Sequence, residues 1–261
     1  MATPTADMAD GLAHRRNVPM PMVYRYLGDK RFAYTLPRAI SLQILQPGNA
    51  ASLVQHVHSG LWAHKSRAVG QMVYIAYSNR DLRSVMRTAH SHVKGVDSSG
   101  ARYHSLNPEL FFFQHATYVD ALFTSIDIFH SGLDGAAKEQ LYQECCRWYA
   151  KYDISDRAQP ATYREFVDYF ADYCATNLAM TPDAERLRRE TLHPPTWYPR
   201  KVPPAAIRAM LHPRAAELLG VDVGAGDRLA LRAFAARTNM LTTLSPARYH
   251  LIPSARHDPD N

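Results

Sequence analysis

Leu82, Val85, Met86, Ala89 and Val93 recur at helical spacing, and His90 stands beside them. A helix over Asp81–Gly95, turning about 100° per residue, centres this apolar stripe near Ala89 and leaves His90 just off one edge. Arg83, Arg87 and Lys94 fall on the side of His90, seven and three residues before it and four after. An imidazole leaning toward the core with cations toward solvent is the arrangement a haem takes: an axial nitrogen for iron and positive groups for the propionates. The same spacing also describes a core-edge histidine beside a solvated charged face, and spacing alone leaves both readings open.

His115 is the second imidazole of interest. Its helical neighbours are Phe111, Phe112, Val119 and Leu122, which places it in the interior. A buried histidine needs a partner or stays neutral. The plainer expectation is a structural histidine bonded to a carbonyl or hydroxyl, and a contact with the same cofactor is the alternative. Other chemistries lack their residues. There is no HExxH, no cysteine–histidine zinc spacing, no GxSxG elbow, no P-loop and no GxGxxG following a strand. His56 and His58, like His90 and His92, are two residues apart, and such pairs do not share a helix face. Cys145, Cys146 and Cys174 form no CxxC pair and read as inert thiols of a reducing compartment, which suggests a cytoplasmic protein.

The elements that must hold these residues are helical nearly throughout. Hydrophobic residues make up 46% of the 261 and charged residues 21%, enough for one domain with a substantial core. The net charge of +6 is spread along the chain without a basic block or interleaved aromatics, so nucleic-acid binding is not expected, while a basic pocket for an acidic ligand stays open. No apolar run is long enough to span a bilayer, and the first twenty residues look like neither a signal peptide nor a transit sequence. Residues 1–20 and 245–261 read as disordered tails around a domain over 21–244.

Within that domain the periodicity predicts helices over Pro37–Leu45, Ala50–His58, Ser66–Tyr77 and Asp81–Gly95, the last opened by a capping box at Ser78–Asp81 and closed by Gly95. Asn107-Pro108-Glu109 is a helix start, and Pro108–Phe129 is apolar on nearly every side, so it belongs at the centre. Helices follow near Ala136–Tyr152, Thr162–Leu178, Pro182–Leu192, Pro203–Leu211, Pro213–Leu219 and Asp227–Leu241, with an extended crossing at His193–Pro199. No run alternates convincingly enough for a strand. The fold class is therefore all-α, a single globular domain around one buried helix.

Four segments carry a family likeness. His90-Ser91-His92-Val93-Lys94-Gly95-Val96-Asp97 is similar to an HxxV(R/K)G(V/T)D segment. Ser99-Gly100-Ala101-Arg102-Tyr103 with Leu106-Asn107-Pro108-Glu109-Leu110 is similar to GxxY followed by (D/N)PEL. Phe113-Gln114-His115-Ala116-Thr117-Tyr118-Val119-Asp120 is similar to WxHATxVD, and Pro160–Phe166 to PASYxEF. Over roughly Leu42–Asp183 the chain resembles the latex-clearing rubber oxygenase superfamily, which includes the oxygenase that shortens a prenyl side chain in mycophenolic acid biosynthesis. The run His90–Asp120 is the most specific part.

The resemblance implies an all-α fold holding a b-type haem between helices, and an oxygenase that uses dioxygen on a small apolar or isoprenoid-like substrate. It implies His90 as the proximal ligand of the iron, with Arg87 and Lys94 beside the propionates. It implies Arg67 and Gln71 on the distal side as donors toward dioxygen or substrate. Where the rubber-cleaving branch carries lysine and threonine after the distal arginine, this chain carries Gly70 and Gln71, so Gly70 is expected to leave space above the haem. A His-Pro frequent in related members is Gln46-Pro47 here. Two other functions share the scaffold: a haem enzyme that runs peroxide or coupling chemistry, and a non-catalytic helical protein that binds haem or a partner.

Overall fold

Residues 20–256 are described in the computed structural model, and they form twelve α-helices, three 3-10 turns and one two-stranded hairpin. In chain order the first helices are α1 (Pro21–Tyr26), α2 (Lys30–Leu45), α3 (Pro47–His56), α4 (Leu61–Tyr77) and α5 (Arg83–His90). The hairpin strands β1 (Lys94–Val96) and β2 (Arg102–His104) precede α6 (Pro108–Phe129), α7 (Gly135–Ala150), α8 (Tyr163–Thr176) and α9 (Pro182–Leu192). After a 3-10 turn at Pro199–Lys201 come α10 (Pro204–Met210), α11 (Pro213–Leu218) and α12 (Ala225–Thr243).

The expected central helix runs over Pro108–Phe129, and the Asn107 side chain caps it by accepting from the Glu109 N–H at 3.0 Å. Leu110, Phe112, Phe113, Val119, Leu122 and Ile126 are buried on different sides of it, so neighbours must enclose it all round. α2 does so along most of its length, and α7 and α12 cover other faces. Across the α2–α6 contact, Arg38 and Asp120 form a two-bonded ion pair, with Nε to Oδ2 at 2.6 Å and Nη2 to Oδ1 at 3.1 Å. Arg38 Nη1 also donates to the Met210 carbonyl at 3.0 Å, which ties the end of α10 to the same pair.

Several expectations are corrected by this structure. Helix α2 begins at Lys30 and runs through Pro37, where a proline-led start had been expected. Proline's fixed φ suits a helix and costs one backbone hydrogen bond, and burial of Phe32, Ala33 and Leu36 ahead of it outweighs that loss. The helix expected over Asp81–Gly95 is shorter, Arg83–His90, and its capping box does not form. Ser78 instead ends α4, its N–H donating to the Tyr74 carbonyl at 2.8 Å, while its hydroxyl accepts from Arg80 N–H at 3.0 Å.

The chain after His90 turns into the hairpin, although no strand had been expected there. Three-residue strands are too short to show period two, and tertiary contacts decide them. Lys94, Gly95 and Val96 pair with His104, Tyr103 and Arg102. Asp97 Oδ1 accepts from Ser99 N–H at 2.8 Å and Ala101 N–H at 3.0 Å, which closes the turn, and Gly100 takes φ +87°, a left-handed conformation that favours glycine. Gly95 is not a helix cap. A Cβ there would meet Gln55 Oε1 at 2.6 Å and the Tyr103 hydroxyl at 2.8 Å, so its glycine permits the strand to lie against α3.

Residues 1–19 of the expected leading tail lie outside the described residues, and Met20 is buried. The segment expected as a trailing tail is packed on the fold as far as Arg256. The Ile252 N–H donates to the Gly28 carbonyl at 2.8 Å, Leu251 bridges Asp29, and the Pro253–Ala255 turn lies on α4. Its prolines fit this packed, irregular path as well as they fit disorder, and burial of Ile252 selects the former.

Replacing Asp120 with Ala should lower unfolding stability by about 1.5–3 kcal/mol, the worth of hydrogen bonds to a charged group. A double-mutant cycle with Arg38→Ala in urea unfolding checks it. Additive losses would mean that the pair contributes nothing beyond its separate side chains.

Candidate functional site

A cavity of about 310 Å³ opens where α4 and α5 fail to close fully over α6. On α4 the residues facing it follow the helical period: His64, Ala68, Gln71, Met72 and Ile75, with Lys65 and Arg67 at the edges. Met86, Ala89 and His90 form the α5 wall. Phe111, Gln114, His115 and Tyr118 of α6 make the floor, and Tyr152 after α7 completes it. A second cavity of about 180 Å³ adjoins and shares His64, Lys65, Ala89, His90 and Gln114, so His90 stands between the two.

Met86 is the one buried residue of α5. Val85 is 50% exposed, and Ala89 is exposed at the cavity although it lies at the centre of the apolar stripe. That stripe therefore faces an open cavity where a closed core had been expected.

His90 is held at both ends. Its Nδ1 lies 2.9 Å from the Met86 carbonyl, which makes Nδ1 the donor and leaves Nε2 with its lone pair. Its own carbonyl accepts from the Ser105 hydroxyl at 2.9 Å, so the hairpin pins the end of α5. The ring packs edge-on against Phe111 with centroids 5.6 Å apart.

His115 is 4% exposed, and the Cys145 backbone is the polar group that acts on its ring, without the geometry of a full hydrogen bond. Aromatic rings enclose it, with the Trp148 centroid at 4.3 Å and that of Tyr149 at 5.1 Å. Burial pushes its pKa down to about 3, and the Cys145 backbone opposes this only in part. Burial, then the charges of Lys65, Arg67 and His90, push His64 down to about 4, and burial also lowers His90. All three imidazoles are thus neutral near pH 7, the form that donates an electron pair.

Lys65 is buried, with Nζ donating to Gln43 Oε1 at 2.7 Å, and burial brings its pKa to about 7. Gln43 in turn donates to Thr117 Oγ1 at 2.7 Å. No carboxylate lines either cavity among the described residues. The cysteine thiols stand elsewhere and burial raises all three, Cys146 to about 11 and Cys174 to about 12, which agrees with inert thiols.

Of the residues singled out in the sequence, Arg67, Gln71, His90 and His115 meet around one cavity. Arg87 and Lys94 do not line it. Arg87 is 63% exposed and pairs with Asp153 at 3.2 Å, and Lys94 lies on β1, off the helix that was to align it with His90. The Arg67 guanidinium turns outward to the Ser59 hydroxyl at 2.6 Å. Gly70 faces away: a Cβ there would meet Ser254 Oγ at 3.0 Å, so it leaves no space in the cavity. It sits about 160° around the helix from Ala68. His64, Lys65, Gln114 and Tyr118 were missed. The period of α4 carried the signal for His64, but nothing in the sequence marks Lys65 as buried.

Residues 24–240 match the family described as ER-bound oxygenase mpaB/B'/Rubber oxygenase, catalytic domain. The chain belongs to this oxygenase family. The match extends beyond the four resembling segments to take in the second half of α1 and most of α12. No curated protein and no solved structure matches the chain. Membership makes the chain an oxygenase catalytic domain, and several family-like residues have structural work here. Asp120 binds Arg38, Gly95 admits the hairpin, and Glu165 accepts from the Ala161 N–H at 2.9 Å beside the Thr162 cap of α8. Among the described residues no helix is long and apolar enough to cross a membrane, and no group of three or more metal-binding side chains occurs.

The unfolded chain protonates His115 near its ordinary value of 6.5, and the folded chain only near 3. The unfolded state therefore binds more protons between those values, and stability falls as the pH drops below about 6.5. For this residue the loss is at most about 1.4 kcal/mol per pH unit. Urea unfolding at neutral and mildly acidic pH should show it, and His115→Phe should flatten the dependence. An unchanged slope would mean that the ring titrates freely in the fold.

Proposed function

We propose that this oxygenase uses a b-type haem in the cavity between α4, α5 and α6, with His90 as the iron's protein ligand, and acts with dioxygen on a small apolar, isoprenoid-like substrate. The observation that carries the reading is His90 itself, a neutral imidazole whose Nδ1 is engaged by the Met86 carbonyl and whose Nε2 is left to bind. A metal held by side chains alone needs several of them, and among the described residues no group of three or more is gathered. An iron that brings four ring nitrogens of its own needs one. The donor set fits, as does the open apolar wall of Ala89 and Met86 beside Phe111.

When bound, the haem supplies the redox-active iron that dioxygen requires. The chain does the rest. Met72, Ile75, Phe111 and Tyr118 offer apolar surface to the substrate and exclude water. Gln71 presents an amide to the cavity, and Arg67 at its edge brings a guanidinium within reach by a rotamer change; these are the proposed polar contacts to dioxygen or substrate. Lys65, which an anion would hold in its charged form, and Arg67 at the edge stand along a lining without carboxylates, which suits an acidic ligand. Arg87 and Lys94 stand off the cavity lining, and a propionate contact from Arg87 means exchanging Asp153 for the cofactor. His115, neutral and set among aromatic rings, is part of the floor and is a second point of contact for the cofactor.

Haem added to the purified protein should give a Soret band and bound iron. It should also stabilise the fold by about 2.7 kcal/mol at free haem a hundredfold above the dissociation constant. His90→Ala should keep its melting transition and lose the band, whereas a parent without a band overturns the reading. Gln71→Ala and Arg67→Ala should retain haem and lower product formation under dioxygen. If both turn over like the parent, the distal assignment fails while the haem assignment stands.

A further inference from the structure

Helix α12 has two faces with different tasks. Its inner face is spent on the fold. Leu231, Phe234 and Ala235 turn inward, with the Phe234 ring 5.4 Å from Tyr34 and 6.0 Å from Phe129. Its one acid, Asp227, is also turned in, accepting from Arg208 at 2.6 Å and from the Gly224 N–H at 3.0 Å.

The outer face is apolar. Leu229, Ala233, Ala236, Met240 and Leu244 are all exposed, Leu229 by 67%, Met240 by 58% and Leu244 by 76%. Spaced by four, three, four and four residues, they fall within an arc of about 80°. Arg228 and Arg232 border that arc on one side and Arg237 on the other, all three exposed and without an ion-pair partner among the described residues. Leu241, 50% exposed, continues the apolar surface past Arg237.

We infer that α12 is a membrane-surface element: it lies flat on an anionic lipid bilayer, its leucine and methionine stripe in the headgroup–acyl boundary and its arginines on the lipid phosphates. A single apolar stripe edged by arginines has the pattern of an interfacial helix. The charge decides between occupants. Two copies of this face would set arginine against arginine with no outward acid on the helix to answer them. An anionic bilayer answers every arginine and takes the leucines as well. This attachment is peripheral and does not depend on the haem assignment.

Flotation of the full chain with vesicles tests the inference. Vesicles of phosphatidylcholine with phosphatidylserine should carry the protein and phosphatidylcholine alone should carry far less, the difference shrinking as salt screens the charges. Each of Arg228→Gln, Arg232→Gln and Arg237→Gln should lower the partition about fivefold, the equivalent of about 1 kcal/mol per cation. Leu229→Ser with Leu244→Ser should abolish binding with an unchanged melting transition. A parent that stays in solution with both vesicles, or variants that float as well as the parent, overturns the inference. So does a parent dimer that the leucine variants turn into a monomer, because the stripe then belongs to a second copy. An environment-sensitive dye on Leu229→Cys should shift to the blue only with anionic vesicles. A blue-shifted dye in the free monomer means that another segment of the chain covers the face, which also overturns it.

Discussion

A helix that is apolar on every side must be enclosed on every side, and α6 imposes that demand on the whole fold. α2 lies along it, fastened by the Arg38–Asp120 pair, while α7 and α12 cover further faces. The enclosure is incomplete on the side of α4 and α5. α5 is two turns long, Met86 is its one buried residue, and the gap behind it is the cavity. The site is thus the part of the central helix that the surrounding layer leaves open, and its floor is made of the same aromatic residues that build the core.

Electrostatics inside that gap follow from desolvation. Three histidines of ordinary solution chemistry are held neutral, and a lysine is brought to about 7 with glutamine as its partner in place of a carboxylate. A cavity lined by neutral nitrogen donors, cations and apolar side chains has no acid to repel an acidic ligand. The buried Lys65–Gln43–Thr117 chain also links α4, α2 and α6 at the cavity wall, so the polar groups of the site brace the helices that form it.

Position comes from the hairpin. His90 ends α5, and a free helix end frays. Ser105 grips its carbonyl, β1 and β2 fold back on α3, and Gly95 lets Tyr103 reach Gln55 at 2.7 Å. The family-like run from His90 to Asp120 therefore contains the imidazole, the device that aims it, and the anchor that docks α6 on α2.

The sequence by itself determined the elements whose causes are local. Asn107-Pro108-Glu109 fixed the start of α6, Thr162 and Thr181 capped α8 and α9, and the apolar period marked α4 and α5 as helices. The all-α class and the family were legible from those patterns together with the motif run. Tertiary structure alone decided where α5 stops, because Gly95 served a close approach to Gln55 and not a helix end. It also decided which way α4 turns, sending Gly70 to Ser254 and bringing His64 and Lys65 into the cavity beside Gln71. The physical reason is range: caps and periodicity act within a turn or two of the chain, whereas burial of a lysine, separation of Arg87 and Lys94 from the cavity, and packing of Ile252 on Gly28 depend on residues far apart in sequence meeting in space.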